Sequence, residues 1–356
     1  MYDLAIIGAG PAGSTLARLL GTEYKTLLLD RRELLEPKED SFEKSCGGLI
    51  APDAQQMLAK LGLGVPLEVL VGPQLFTVRT IDVQQKLERY YQRHYINIDR
   101  EKFDSWLVSL LPDSVDTRCG ALFRRFSREG EGIKIQFQHH GKTYTEKARY
   151  LIGADGAQSM VRRQMVPEFS QRSYISVQEW FEVANNQPYF SVIFDRDISD
   201  FYSWTIPKGN ELIVGATVRP RDNVIQKFEL LKTKLRQQGF DLPETKLIKR
   251  NGAFILRPCG IKQIYLGEGN IALIGEAAGW ISPTSAEGLS YAFRSALALA
   301  KSVQASTGNL ISEYRRNTAS LRMNIRGKNL KAPFMYNPFL RKLALSSGLL
   351  SMDINK

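Results

Sequence analysis

"YDLAIIGAGPAGSTLARLLG", residues 2–21, followed at 25–30 by "KTLLLD", decides how this 356-residue chain begins to fold. The run over 3–7 is apolar from Leu4 onward, as in a strand covered on both faces of a sheet. Gly8, Gly10 and Gly13 punctuate a turn, and the apolar spacing over 11–20 predicts a helix. "KTLLLD" reads as a second buried strand that ends at Asp30. Strand, helix and strand make a βαβ unit, which implies a parallel sheet. Each glycine then has a task. Gly8 permits the tight turn, Gly10 lets backbone approach a pyrophosphate, and Gly13 lets the helix lie close to the strand. Pro11 stands where a missing N–H costs nothing, Ala12 adds no bulk, and the helix N-terminus offers donors to phosphates. Asp30, with Arg31 beside it, ends the second strand where a carboxylate accepts from ribose hydroxyls.

Two later stretches repeat the device. "YLIGADGAQSMVRR" (150–163) and "ALIGEAAGWISPTSAEGLSYA" (272–292) both run from an apolar strand into small residues with one carboxylate. The first supplies Asp155 and Gly156, the second Gly275, Glu276 and Ala277. A second segment closing over the middle of an elongated ligand fits a flavin with its ribityl chain better than a freely dissociating nicotinamide. The helix opening at Gly288 and Leu289 aims its positive end upward; beneath an isoalloxazine that dipole stabilises the reduced anion.

Between these stretches, 99–110 predicts a helix capped by Asp99, 172–218 a run of strands, and 224–239 an amphipathic helix. Dinucleotide-type elements at both ends enclose a β-rich middle. The expected fold class is therefore mixed α/β: a Rossmann-like FAD-binding domain (1–60, 95–165 and 255–305) with an interleaved β-sheet substrate domain (61–94 and 166–254). A helical, basic C-terminal extension (306–356) follows.

The length suggests about two domains, and 43% apolar residues suffice for ordinary cores. Cys46, Cys119 and Cys259 lie far apart, with neither metal-ligand spacing nor a disulfide framework, which favours a reducing compartment. His139 and His140 adjoin a turn, His94 stands alone, and no metal site or hydrolase triad is discernible. No basic leader precedes the first strand and no run reaches the ~18 apolar residues of a membrane span, so a cytoplasmic location is expected. The net charge of +11 is uneven, because no Asp or Glu occurs from Tyr314 to Met352. That basic, apolar stretch suits an extension packed on the body, or one peripheral to an anionic membrane surface. No nucleic-acid motif accompanies the charge, so nucleic acid is not an expected partner. Nothing in the pattern specifies an oligomeric state.

The segments Gly8–Gly13, Gly153-Ala154-Asp155-Gly156 and Gly275-Glu276-Ala277-Ala278-Gly279 resemble the three flavin signatures of the p-hydroxybenzoate-hydroxylase-like FAD superfamily. Arg100 matches the arginine that this superfamily places near the flavin's phosphate and ribityl region. Asp30 and Glu276 stand where the superfamily more often has Glu and Asp. Within it, Cys46-Gly47-Gly48 and Tyr202-x-Trp204-x-Ile206-Pro207-Lys208-Gly209 resemble the geranylgeranyl reductase family. Through "YINIDREKFDSWL" and "GADGAQSMVRR" the nearest likeness is to its small bacterial CbrA-type branch.

The resemblance implies that residues 45–48 lie over an FAD ring, with Cys46 near the hydride-bearing nitrogen. There Cys46 acts as a proton donor or packs as a buried thiol. Gly47 and Gly48 are expected to let backbone pass close to ring or substrate. Tyr202, Trp204 and Ile206, with Pro283, form a pocket wall or ordinary sheet packing, and Tyr202 is a second candidate acid. The implied activity is reduction of carbon–carbon double bonds in an apolar, prenyl-like or lipid substrate by hydride from reduced flavin. NAD(P)H or a protein electron donor would be the reductant. An FAD-dependent monooxygenase and a flavin-binding protein without turnover are the alternatives.

Overall fold

A computed structural model describes residues 1–36, 45–169, 172–184, 186–305 and 309–354. The chain opens with β1 (Tyr2–Ile7), α1 (Pro11–Leu20) and β2 (Thr26–Leu29), the expected βαβ unit. There follow β3 (Leu49–Ile50), α2 (Pro52–Lys60), β4 (Leu75–Asp82), β5 (Leu87–Asn97) and α3 (Arg100–Ser109). Asp99 caps α3 by accepting from the amides of Glu101 and Lys102, as its position before an apolar-periodic run predicts. Next come β6 (Asp116–Arg118), β7 (Leu122–Glu129), β8 (Gly132–His139), β9 (Lys142–Gly153) and the short α4 (Met160–Met165). The β-rich middle is β10 (Ser173–Glu182), β11 (Phe190–Phe194), β12 (Ser203–Lys208), β13 (Glu211–Val218), α5 (Val224–Gln237) and β14 (Leu247–Leu256). The chain ends through β15 (Gly267–Glu268), β16 (Ile271–Leu273), α6 (Leu289–Gln304), α7 (Leu310–Asn317), α8 (Ala319–Tyr336), α9 (Pro338–Ser346) and β17 (Ser351–Met352).

Two sheets result. The first runs β15-β16-β9-β1-β2-β6, with β7 and β8 as a hairpin on β9. Its central strands are parallel and in register at their ends: Ile7 lies opposite both Leu29 and Gly153, and Gly153 opposite Leu273. The turns after β1, β9 and β16 therefore emerge side by side at the carboxyl edge, where parallel sheets bind ligands. The second sheet runs β14-β10-β13-β12-β11-β4-β5-β17. Period 2 divides its faces. Val177, Phe181, Val214 and Ala216 pack against Phe228, Leu231 and Leu235 of α5, while Ser176, Gln178, Trp204 and Ile206 face a cavity.

The C-terminal segment belongs to both halves. Leu310, Tyr314, Leu321 and Ile325 join the core of the first sheet, and β17 pairs antiparallel with β5 of the second. Arg341 is buried in an ion pair with Asp82 at 2.6 Å. The expected start of the extension, at 306, lies outside the described residues. No helix among the described residues is long and apolar enough to cross a membrane.

Candidate active site

A cavity of about 830 Å³ lies between the carboxyl edge of the first sheet and the inner face of the second. The glycines of the first turn separate by what their missing side chains would meet. A Cβ on Gly13 would fall 1.8 Å from the Gly8 carbonyl oxygen, and one on Gly8 (φ +105°) 2.5 Å from that of Ala154. Those two glycines serve packing. Gly10 faces the cavity with Pro11 and Ala12, and a Cβ there would meet nothing nearer than Arg32 at 3.9 Å. The space it leaves opens into the cavity.

Asp30 is nearly buried and fully engaged. Oδ2 accepts from the Ala9 amide at 2.7 Å and from Arg32 Nη2 at 3.1 Å. Oδ1 accepts from the Arg32 amide at 2.8 Å and its Nε at 3.1 Å. A carboxylate offers about four acceptor positions, so a ribose finds room on Asp30 only when Arg32 swings away. The expected free acceptor is thus a braced one, and the neighbour missed in the sequence, Arg32 rather than exposed Arg31, does the bracing. Arg32 reaches on to the buried Asp104 at 2.8 Å, and Asp104 accepts from Arg100 Nε at 2.7 Å. Arg100 Nη1 donates to Cys46 Sγ at 3.3 Å. Burial opposes the charge on Arg100, but Asp104 and Cys46 outweigh it and raise its pKa. A continuous polar chain therefore joins the nucleotide turn to the thiol loop. The i,i+4 spacing of Arg100 and Asp104 was legible; the link to Arg32, 72 residues away, was not.

In the other two turns the carboxylates part company. Asp155 turns inward and caps α4 through the amides of Met160 (2.6 Å) and Val161 (3.3 Å), and burial raises its pKa. It is not on the cavity wall, whereas Gly156 is. Glu276 is on the wall and accepts from the Leu256 amide at 3.1 Å. Gly275, Gly288 and Leu289 also line it. Ala277 lies behind it, buried, its carbonyl accepting from Arg162 at 2.5 Å.

The thiol loop gives its glycines a second task. A Cβ on Gly47 would strike Ile206 Cδ1 at 2.4 Å. On Gly48 (φ +60°) it would meet the Ile98 carbonyl at 2.3 Å and Lys208 Nζ at 2.7 Å. Both glycines line the cavity, and close packing against the protein also holds them to their size. Lys208 donates to the carbonyls of Gly48 (3.0 Å) and Ile98 (2.6 Å), and burial pushes its pKa down to about 8. In the sequence it stands only within the motif that begins at Tyr202, and here it pins the loop to β12.

Tyr202, Trp204 and Ile206 all line the cavity, and Trp204 lies over Gly215, whose Cβ would be 2.2 Å from the indole. Tyr202 is a weaker candidate acid than expected. Its hydroxyl donates to the Ser285 carbonyl at 2.6 Å, and burial and the Glu287 carboxylate raise its pKa. Pro283 is off the wall, its carbonyl taken by Arg257 at 2.9 Å, though Thr284 and Ser285 are on it. One further cluster was missed: Tyr95 donates to Glu287 at 2.8 Å, with Arg93 at 3.4 Å. No cluster of three or more metal-ligating side chains exists among the described residues.

A family model described as FAD binding domain matches residues 1–244. The chain belongs to this FAD-binding family. Protein CbrA of Escherichia coli O6:H1 (strain CFT073) is 41% identical to the flavoprotein over 348 residues, 98% of this chain and 94% of its own. A geranylgeranyl bacteriochlorophyll reductase-like protein from Thermoplasma acidophilum has the same fold. The TM-score is 0.76 at 17% identity, over 97% of this chain and 98% of that one. Aklavinone-11 hydroxylase, in its complex with FAD and aklavinone, gives a TM-score of 0.69 at 16% identity over 96% of this chain and 70% of its own. At such identities the likeness establishes fold, and it embraces both a reductase-like protein and a hydroxylase. What the flavoprotein shares with them is the fold, and its family is that of the FAD binding domain. Its own residues fit FAD: open space at Gly10, a braced acid after β2, and adjoining turns along one cavity.

Proposed function

We propose that the flavoprotein reduces carbon–carbon double bonds of an apolar, unsaturated chain such as a prenyl lipid. The observation that carries this reading is the character of the cavity beyond the glycine turns. Val78, Phe190, Val192, Trp204 and Ile206 of the second sheet continue into Phe334 and Leu345 of the C-terminal segment. Such a wall suits an apolar chain, with Ser176 and Gln178 of the same sheet face as its polar contacts. Bound FAD would supply, when reduced, the hydride for one alkene carbon, with NAD(P)H or a protein donor as its reductant. A proton completes the other carbon. We assign the holding of that proton to Cys46, which lines the cavity and contacts Arg100, with water as the alternative source. Tyr202, tied to Ser285, shapes the wall.

The test is anaerobic. Chemically reduced protein mixed with geranylgeraniol should reoxidise, and the product should gain two hydrogens by mass. Reoxidation that requires oxygen and yields a hydroxylated product would overturn the reading in favour of a monooxygenase. A reduced flavin that no acceptor reoxidises would favour a protein without turnover. Cys46→Ser should slow reoxidation at least about tenfold with FAD content unchanged, if the thiol holds the proton.

A further inference from the structure

We infer that the outer faces of α8 and α9 form a docking surface for an anionic lipid bilayer. Both helices are apolar inside and outside. At about 100° per residue, Met323, Leu330 and Phe334 fall within roughly 20° of one line along α8. They are 70%, 78% and 57% exposed. Leu321 and Ile325, on the opposite side, are the residues that α8 buries. α9 repeats the arrangement, with Arg341 and Leu345 buried and Phe339 and Leu343, one turn apart, exposed. Leu349 and Leu350 follow, also exposed. Seven of the eighteen large apolar side chains exposed among the described residues thus lie within 28 consecutive positions. Scattered exposure is ordinary, but a concentration of this kind marks an interaction surface.

Charge chooses the occupant. No acid occurs from Tyr314 to Met352, and Arg326, Lys331 and Lys342 stand exposed around the apolar stripes. A second copy docking symmetrically would set this basic patch against itself. The apolar side chains protrude from helix surfaces, and a bilayer receives protruding side chains without a matching surface, while its anionic headgroups attract the flanking cations. The surface also adjoins the cavity, because Phe334 and Leu350 are exposed and line it as well. On the reading given under Proposed function, an apolar chain would pass from bilayer to cavity without crossing water.

Sedimentation of the full-length holoprotein with vesicles tests the surface and requires no turnover. Phosphatidylcholine vesicles containing phosphatidylglycerol should carry the protein down at low salt, and pure phosphatidylcholine or high salt should release much of it. Leu330→Glu combined with Leu343→Glu places two acids on the outer faces, away from the cavity wall. Binding should weaken roughly tenfold or more, with an unchanged melting temperature. Wild-type protein that stays in the supernatant at low salt overturns the inference, as does a double variant that binds like wild type. A wild-type dimer that the double variant dissolves assigns the surface to a second copy instead. Vesicle binding without alkene reduction would leave the surface standing and remove only the proposed substrate.

Discussion

Gly10 and Gly13 sit one helical turn apart, yet their substitution should fail in opposite ways. Gly10 has an extended backbone that any residue adopts (φ −70°, ψ −178°), and a Cβ there enters open cavity. Gly10→Val should fold with an unchanged apo melting temperature and lose FAD affinity by at least about tenfold, read by fluorescence titration. Gly13→Ala drives a carbon into the Gly8 carbonyl and should cost on the order of 3 kcal/mol in chemical denaturation, whether or not FAD is present. Lys208 gives a pH signature. The unfolded lysine holds its proton up to about 10.5, whereas the buried one releases it near 8. Between those values the unfolded chain binds more protons, so stability rises with pH, by about 3 kcal/mol in full, and the penalty is complete below pH 8. Buried Cys119, its pKa raised, pulls the other way above pH 9. The difference between wild type and Lys208→Met therefore isolates the lysine. If denaturation midpoints of the two run parallel from pH 7.5 to 9, the lysine is not desolvated as described. The nucleotide glycines were legible because their spacing follows from local geometry. The Gly47-Gly48 pair was legible as a pair, but not the atoms that exclude a Cβ there, which come from Ile98, Ile206 and Lys208.

At the scale of elements, βαβ periodicity and the Asp99 cap could be read directly, because helices and buried strands write their burial into the sequence at 3.6 and 2 residues. The C-terminal helices could not be placed that way. Helices apolar on two faces carry no single inward direction, and the sequence left both packing and membrane contact open for the same residues. What fixes α9 is Arg341, whose Nε donates to Asp82, a fully buried carboxylate 259 residues earlier. Arg341→Ala would strand that charge and should destabilise the protein by roughly 3 kcal/mol. Proteolysis within 338–350 should become faster, and the added variant Asp82→Leu should recover much of the loss. Rapid cleavage of wild type at the same sites would show that the ion pair does not hold the helix.

For the whole molecule, the cavity is shared by two sheets whose strands alternate along the chain, so ligand binding should be felt in both. FAD at a hundredfold excess over its dissociation constant stabilises by about 2.7 kcal/mol. Amide hydrogen exchange should slow in β1 and in β12 together, while protection confined to the first sheet would mean that the halves open independently. The sequence by itself determined the parallel βαβ start, the three glycine turns, the flavin family and the acid-free basic tail. Each is read from contiguous stretches of the chain. Only the tertiary structure decided that Asp30 is occupied by Arg32, that Asp155 caps a helix, that the Tyr202 hydroxyl donates to a backbone carbonyl, and that the tail lines the cavity. Those outcomes depend on which atoms meet across tens to hundreds of residues, and local periodicity holds no record of such meetings.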